Sequence, residues 1–402
     1  MNILIAPDSF KESLTAVEVC QAIKAGLSQV FPEANYTLLP LADGGEGTSE
    51  VLSFVLDGYW RQLTVHDPLM RLITAKYLIT KDGTAVIEIA EACGLHLLTE
   101  EERNPLITTS FGVGEMITDA IKQGVKSILI GLGGSATNDA GAGMLQALGV
   151  KLTDSANNEL SPGGSQLNHL KNIQFGALED LLSEIQISVA CDVTSPLCGP
   201  TGASHVFGPQ KGASIKEVSL LNQALNHFDL VTSAHNVNVK HNNTNFREME
   251  GAGAAGGLGY ALMAYCKAEL KSGFEIIASL VNLDDHLANV DLVITGEGRF
   301  DAQTAMGKVA SGVANQAKLH NNLPVIAICG AVDRQHIETV KQRHDPSPIY
   351  NLYNNTPAFD IVVPSIQKLD NIENILKNAY NNVAITAYQV ATGIKLGQNL
   401  NL

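Results

Sequence analysis

Six short apolar runs, each delivering the chain into a loop of Gly, Asp and Ser, constrain this sequence more than any other feature. They are NILIAP before DSFKES (Asn2 to Ser13), YTLLPL before ADGGEGT (Tyr36 to Thr48), SILIGL before GGSATNDAGAG (Ser127 to Gly143), DLVITG before EGRFDAQT (Asp291 to Thr304), PVIAIC before GAVD (Pro324 to Asp333), and DIVVPS (Asp360 to Ser365). A strand that is apolar at consecutive positions needs cover on both faces, and parallel strands covered in this way require crossover helices. The pattern predicts an α/β fold with a doubly wound, Rossmann-like parallel sheet. Loops leaving the carboxyl ends of such strands converge on one edge, where ligands bind. The loop chemistry of these separated segments is therefore expected to gather at one site.

Two regions interrupt the rhythm. From Leu63 to Ala90, two or three strands with an Asp82-Gly83 turn read as an antiparallel hairpin or meander. From Val150 to about Asp285 the pattern is mixed, with Pro/Gly-rich loops at Ser161 to Ser165 and Pro196 to Gly212. A chain of 402 residues has room for two domains. We expect a discontinuous Rossmann-like domain of residues 1–62, 105–149 and 287–402, and a mixed α/β domain of residues 63–104 and 150–286 inserted into it, with the active site in the interdomain cleft. Ala234 to Asn245 lacks apolar periodicity and reads as an exposed loop. Leu369, Ile372, Leu376, Ala379 and Val383 keep helical spacing, so an amphipathic helix is expected to close the chain.

Charge narrows the partners. Twenty-six basic against 41 acidic residues leave a net charge of −15, and no Lys/Arg cluster interrupts that field, which speaks against nucleic acid or an anionic membrane as a partner. The six cysteines (Cys20, Cys93, Cys191, Cys198, Cys266 and Cys329) form no C-x-x-C pair and no finger spacing, and read as reduced thiols in a cytoplasmic protein. An acid at Asp8 interrupts the N-terminal apolar run before a signal peptide could form. The uncharged stretch Gly251 to Cys266 is too short to span a bilayer.

The loops carry the chemistry. Asp8, Ser9 and Lys11 leave the first strand and could hold Mg²⁺ and a phosphate, or could be a helix cap with a solvated lysine. In Asp43-Gly44-Gly45-Glu46, glycines let the backbone approach a ligand closely while two acids face it. Gly133, Gly134, Ser135 and Asn138 follow the strongest strand and open a helix, which suits an anion cradle assisted by the helix dipole, with Asp139 beside it. The same loop satisfies G-x-G-x-x-A, with Asp154 about 20 residues on, so a dinucleotide fingerprint is its rival. Gly251-x-Gly253-x-x-Gly256 follows no strand and reads as close packing or a substrate contact. Arg299 could clamp a carboxylate or phosphate, or pair with Glu297 or Asp301. Gly307-Lys308 is not a Walker A, because Val309 follows it and Ala302 stands where the first glycine belongs. Asp192 ends an apolar run and Lys211 lies between glycines, as a base and a phosphate partner would.

Eight segments, APDSFKESL, LADGGEGT, TTSFGVGE (Thr108 to Glu115), GLGGSATNDAGAGMLQALG, ACDVTSPLCGP, VFGPQKGA, GAGAAGGLG and VITGEGRFDAQT, occur in an order that resembles the bacterial glycerate kinase family, the one distinct from P-loop kinases. The resemblance runs from Asn2 to about Gly330. Glu12 stands where a glycine is expected in DSFKGSL, and Ala305-Met306 stands where a histidine precedes Gly-Lys, so no catalytic histidine is assigned. The resemblance implies ATP-dependent phosphorylation of D-glycerate, usually at the 2-hydroxyl, with Mg²⁺. Asp192, Lys11 and Arg299 are the expected catalytic residues. Asp8, Ser9, Asp43, Gly44, Gly45, Glu46, Gly133, Gly134, Ser135, Asn138, Lys211, Glu297, Asp301 and Lys308 are expected to bind glycerate or nucleotide, and Asp43 and Asp139 to hold the metal. The rival activities are an NAD(P)-dependent dehydrogenase of a small hydroxy acid and a non-catalytic carboxylate-binding protein. The first would need a His or a Tyr-x-x-x-Lys in these loops, and the second has no use for so many acids.

Overall fold

A computed structural model describes residues 1–235, 244–301, 308–333, 359–368 and 370–400. The core of the expected polar loop at Ala234 to Asn245, together with Ala305, Met306, Gly307 and Leu369, lies outside the described residues. The chain divides into two compact units, the first of Met1–Asp43, Glu50–Val55 and Phe274–Leu402, the second of Gly44–Ser49 and Leu56–Gly273. Among the described residues, no helix is long and apolar enough to cross a membrane.

The first unit carries a parallel sheet of β1 (Asn2–Ile5), β2 (Asn35–Leu38), β11 (Leu292–Thr295), β13 (Val325–Cys329) and β15 (Ile361–Pro364), in the order β15-β13-β11-β1-β2. Five of the six apolar runs are these strands, and their consecutive burial has the expected cause. Ile3, Ile5, Ile294, Ile326 and Ile328 pack on the helices Ala16–Leu27 and Ala379–Asn399, while the alternate residues Leu4, Val293, Val325 and Ala327 are equally buried on the opposite face. The helix Ala16–Leu27 starts at a capping box: the Thr15 hydroxyl accepts from Glu18 N–H and the Glu18 carboxylate from Thr15 N–H. Counted along the chain, the strand order is that of a doubly wound sheet which reverses between β1 and β11.

The second unit holds β3 (Gly58–His66), β4 (Leu72–Thr80), β5 (Thr84–Glu88), β6 (Ser127–Gly131), β9 (Gln186–Ala190) and β10 (Glu269–Lys271) in the order β10-β9-β6-β5-β4-β3. A small antiparallel pair, β7 (Lys151–Thr153) with β8 (Asn172–Gln174), stands apart. The meander read between Leu63 and Ala90 is β3, β4 and β5, with Asp82-Gly83 turning the chain between the last two.

This division departs from the expected boundaries. Residues 105–149 belong to the second unit, because β6 pairs with β5 on one side and β9 on the other. An apolar run reports that a strand is covered on both faces; it does not say which neighbours the strand takes. The C-terminal apolar spacing also divides: the chain breaks at Asn378 into helices Ile372–Lys377 and Ala379–Asn399. Val383 enters the core, whereas the shorter helix buries none of its residues.

Candidate functional site

In the first unit, all five parallel strands deliver residues to one pocket of about 270 Å³. Asp8, Ser9, Phe10 and Lys11 follow β1, Asp43 follows β2, Glu297 to Arg299 follow β11, Gly330 and Ala331 follow β13, and Ser365 and Ile366 follow β15. Lys308, at the start of the helix Val309–Leu319, completes the charged part.

The reversal of strand order explains why the charged groups meet here. Crossovers leave in opposite directions from β1 and β11, which opens a crevice between their carboxyl ends. The two loops there touch: Asp8 N–H donates to the Gly296 carbonyl at 2.9 Å, and a Cβ on Gly298 would lie 3.2 Å from Phe10 Cα. Beyond the glycines, β12 (Arg299–Phe300) pairs with β14 (Ala331–Val332) and fixes the backbone of Arg299.

Three acids and three cations share this pocket. Burial, followed by the negative charge of Asp43, pushes the Asp8 carboxyl up to about 7; Glu297 adds to the rise, and the Ser9 N–H and Lys11 oppose it. Lys308 Nζ lies 3.9 Å from Glu297 Oε2. Arg299 is 67% exposed and pairs with Asp333 at 3.1 Å and Asp301 at 3.7 Å, so Asp301 steers the guanidinium and does not line the pocket.

The second unit treats its glycine loops differently. Gly44 has φ +81°, and a Cβ there would come 2.2 Å from that of Ala190; a Cβ on Gly131 would strike the Gly44 carbonyl at 2.5 Å, and one on Gly133 would meet Gly45 Cα at 3.1 Å. These glycines let two loops stack backbone on backbone above β6 and β9. Glu88, at the end of β5, secures the stack by accepting from Gly47 N–H at 3.1 Å and Ser49 N–H at 2.7 Å, with Glu46 left exposed.

The polar residues expected to reach a ligand from this unit are instead bonded internally. Asp139 is 1% exposed and accepts from the N–H groups of Ser110, Gly141 and Gly143 and from the Ser110 hydroxyl. With its oxygens so engaged, it caps two helix starts and does not fit the expected metal role. Lys211 is 2% exposed and donates to Ser135 Oγ at 2.9 Å and the Thr137 carbonyl at 2.7 Å. Burial pushes its pKa down to about 8, against the pull of Cys93 and Asp139. Asn138, fully buried, donates to Ser204 Oγ at 3.0 Å. Asp192, expected as the base at the end of an apolar run, lies beyond β9, which ends at Ala190; its side chain is exposed and accepts from Gly273 N–H at 3.0 Å.

The dinucleotide reading of the Gly133 loop meets two obstacles. The loop does not open a helix: Leu95 N–H donates to the Gly134 carbonyl, Ala136 N–H to that of Cys93, and the helix begins only at Ala142. Asp154 spends its carboxylate on the N–H groups of Ala156 and Asn158 in its own turn. The reading of Gly251 to Gly256 as close packing agrees with the geometry: a Cβ on Gly256 would lie 2.0 Å from the Thr137 carbonyl.

Sequence reasoning missed Glu88, Ser110 and the pocket face of the C-terminal helices. Glu88 follows an apolar run just as Asp8 does, and that pattern was available. Among the described residues, no group of three or more His, Cys, Asp or Glu side chains is arranged as a metal site.

Comparison with known proteins bears on the same chain. The glycerate kinase family profile matches residues 3–395. The glycerate 2-kinase of Escherichia coli (strain K12) is 44% identical over 399 residues, covering 99% of both chains, and a glycerate kinase of Bacillus subtilis (strain 168) is 44% identical over 404 residues, covering all of both. A crystal structure from Salmonella typhimurium LT2 ascribed to glycerate kinase 2 superposes with a TM-score of 0.84 at 44% identity, over 99% of each chain. The chain belongs to the glycerate kinase family.

Proposed function

We propose that this protein transfers the γ-phosphate of ATP to the 2-hydroxyl of D-glycerate, giving 2-phospho-D-glycerate and ADP. Membership of the family supports a kinase acting on glycerate. The observation that carries the site assignment is the pocket at the β1/β11 reversal, where Lys11, Arg299 and Lys308 stand beside Asp8, Asp43 and Glu297. Phosphoryl transfer asks a protein for in-line positioning and for cations on the phosphate oxygens, with little covalent chemistry of its own.

In this reading Lys11 and Lys308 meet the phosphates, and Arg299 offers its two-pronged guanidinium to the glycerate carboxylate. As the hydroxyl oxygen bonds to the γ-phosphorus and the bond to ADP breaks, Asp8 takes the hydroxyl proton; burial, the largest cause of its raised pKa, makes it a stronger base than a free carboxylate. Asp43 and Glu297 fit Mg²⁺, because hard oxygen donors whose charges already crowd Asp8 gain from a cation, and Mg²⁺ commonly takes only one or two protein carboxylates. When bound with the nucleotide, Mg²⁺ neutralises charge on the phosphate oxygens. Free thiols at all six cysteines and the acidic composition support a cytoplasmic setting.

The test is direct. The purified protein is given D-glycerate with Mg-ATP, ADP is followed, and the product is read by phosphorus NMR. Glycerate-dependent ADP release with 2-phosphoglycerate is expected. Formation of 3-phosphoglycerate would overturn the regiochemistry, and the absence of glycerate-dependent turnover would overturn the activity.

A further inference from the structure

The pocket changes character along the strand order. Asp43, Asp8 and Lys11 stand at the β2 and β1 side, Glu297 and Arg299 follow β11, and Ser365 and Ile366 stand at the β15 edge. Four strand spacings of about 4.8 Å separate the two edges, roughly 19 Å, a length that an extended nucleoside triphosphate can bridge. On the β15 side the lining is Ile366, Ile372, Ile375, Leu376 and Ala379. Apart from the buried Ala379, these stand outside the core: Ile372 is 69% and Ile366 37% exposed, and the helix Ile372–Lys377 buries no side chain. Helical spacing that elsewhere marks a core face is here used to build a pocket wall. Asn382, one turn into the final helix, is half-buried on the same wall, and its amide has no hydrogen-bond partner among the described residues.

We propose that this apolar side is the nucleobase subsite, covered by the purine ring of the nucleotide, and that the Asn382 amide reads the edge of the base. The proposal rests on the kinase reading above and adds the place of the base and the residue that selects it. Charge complementarity commits the occupant: a ligand with one flat apolar end and one polyanionic end matches a pocket whose isoleucines and leucine lie at one end and whose lysines and arginine lie toward the other. An amide presents one acceptor and one donor side by side, the pair that adenine meets with its exocyclic N–H and a ring nitrogen. The phosphates then run past β13 toward Lys308 and Lys11, leaving Arg299 to the glycerate carboxylate.

Calorimetry with Mg-ADP and with Mg-pyrophosphate separates the two ends. Wild type should bind ADP at least about tenfold more tightly than pyrophosphate, since only ADP fills the apolar side. Leu376→Asp should reduce ADP binding to the pyrophosphate level while pyrophosphate binding stays within about twofold. Asn382→Leu should weaken ADP about tenfold and narrow the preference for ADP over GDP. Both variants should raise KM for ATP and leave KM for D-glycerate where it was. Should Leu376→Asp lower the melting temperature, Ile372→Ser, at an exposed position of that helix, repeats the test. Equal wild-type affinity for ADP and pyrophosphate, or unchanged ADP affinity in folded variants, would overturn the subsite. If instead wild type turns over no glycerate and binds neither probe, the kinase reading itself fails, so the two failures are distinguishable.

Discussion

The two glycine-loop clusters, above the parallel sheet of the first unit and above β5, β6 and β9 of the second, are written in nearly the same residues and do opposite things with them. In the first, Gly296 and Gly298 bring two loops together while Asp8, Asp43, Glu297 and the lysines still line a pocket. In the second, Gly44, Gly131 and Gly133 bring loops together just as closely, and Glu88, Asp139 and Lys211 are bonded to the loops themselves, with Asn138 bonded to the Ser204 hydroxyl. Where the strand order reverses, the crevice parts the chains and side chains reach past them; where strands run on beside one another, the loops crowd and Glu88, Asp139 and Lys211 turn to internal partners.

If that contrast is right, removing an acid from the second cluster should cost stability, and removing one from the first should cost chemistry. Asp139→Ala takes away the acceptor for three buried N–H groups and a hydroxyl, and should destabilise the protein by about 4 kcal/mol or more in chemical denaturation. Asp43→Ala should cost less than about 1 kcal/mol. Similar losses for the two would erase the distinction.

Turnover provides the reciprocal measurement. Asp8→Asn should lower kcat about 100-fold or more with nucleotide binding retained, as expected for a group whose role is confined to the transition state. Asp192→Asn should lower it less than about tenfold, since its exposed carboxylate is bonded to Gly273 N–H and does not line the pocket. A collapse in Asp192→Asn with near-normal Asp8→Asn would move the proton acceptor to the second unit.

The fold was legible where one local property decides the outcome. Each strand of the first sheet could be read from consecutive apolar residues, and the Asp82-Gly83 turn from its dipeptide. Sheet membership of Ser127–Gly131 was not legible, because pairing partners leave no local trace in a strand buried on both faces. The site divides in the same way. Asp8, Lys11, Asp43, Glu297, Arg299 and Lys308 follow the rule about carboxyl ends. The exposure of Asp192 was not legible, because the apolar run stops two residues before it and a side chain beyond a strand end takes its exposure from the loop. The internal bonds of Asp139 and Lys211 were not legible either, because spacing reveals a tight loop without revealing who satisfies it.

The raised Asp8 carboxyl leaves a mark on stability as well. Asp8 is raised from 3.8 to about 7, so between those pH values the folded chain keeps a proton that the unfolded chain has released. Its contribution to stability is complete below about pH 4 and is lost as pH rises through 7. Asn cannot lose a proton. Asp8→Asn should therefore be more stable than wild type at about pH 8, by about 2 kcal/mol, roughly half of the full linkage value because Asp8 is only half-buried. The gap should close toward about pH 4, and denaturation midpoints across that range decide it; a gap independent of pH would mean that Asp8 is not held protonated by its neighbours.

Glu12, beside the pocket lysine, provides the smallest and most local test of the first loop. It occupies φ +65° where the family resemblance leads one to expect glycine. A side chain in that left-handed region costs about 1–2 kcal/mol, because Cβ crowds the following carbonyl. Glycine removes the crowding, yet its freer unfolded chain gives back about 0.4–1 kcal/mol. Glu12→Gly should therefore stabilise the protein by only about 0.5 kcal/mol. Glu12→Ala keeps the backbone strain and removes the carboxylate, so it should stay within about 0.5 kcal/mol of wild type if the strain alone matters. Should Glu12→Gly destabilise and Glu12→Ala do the same, the exposed carboxylate itself would be holding the loop, and the turn of Phe10 to Leu14 would owe its shape to charge rather than to its backbone bonds.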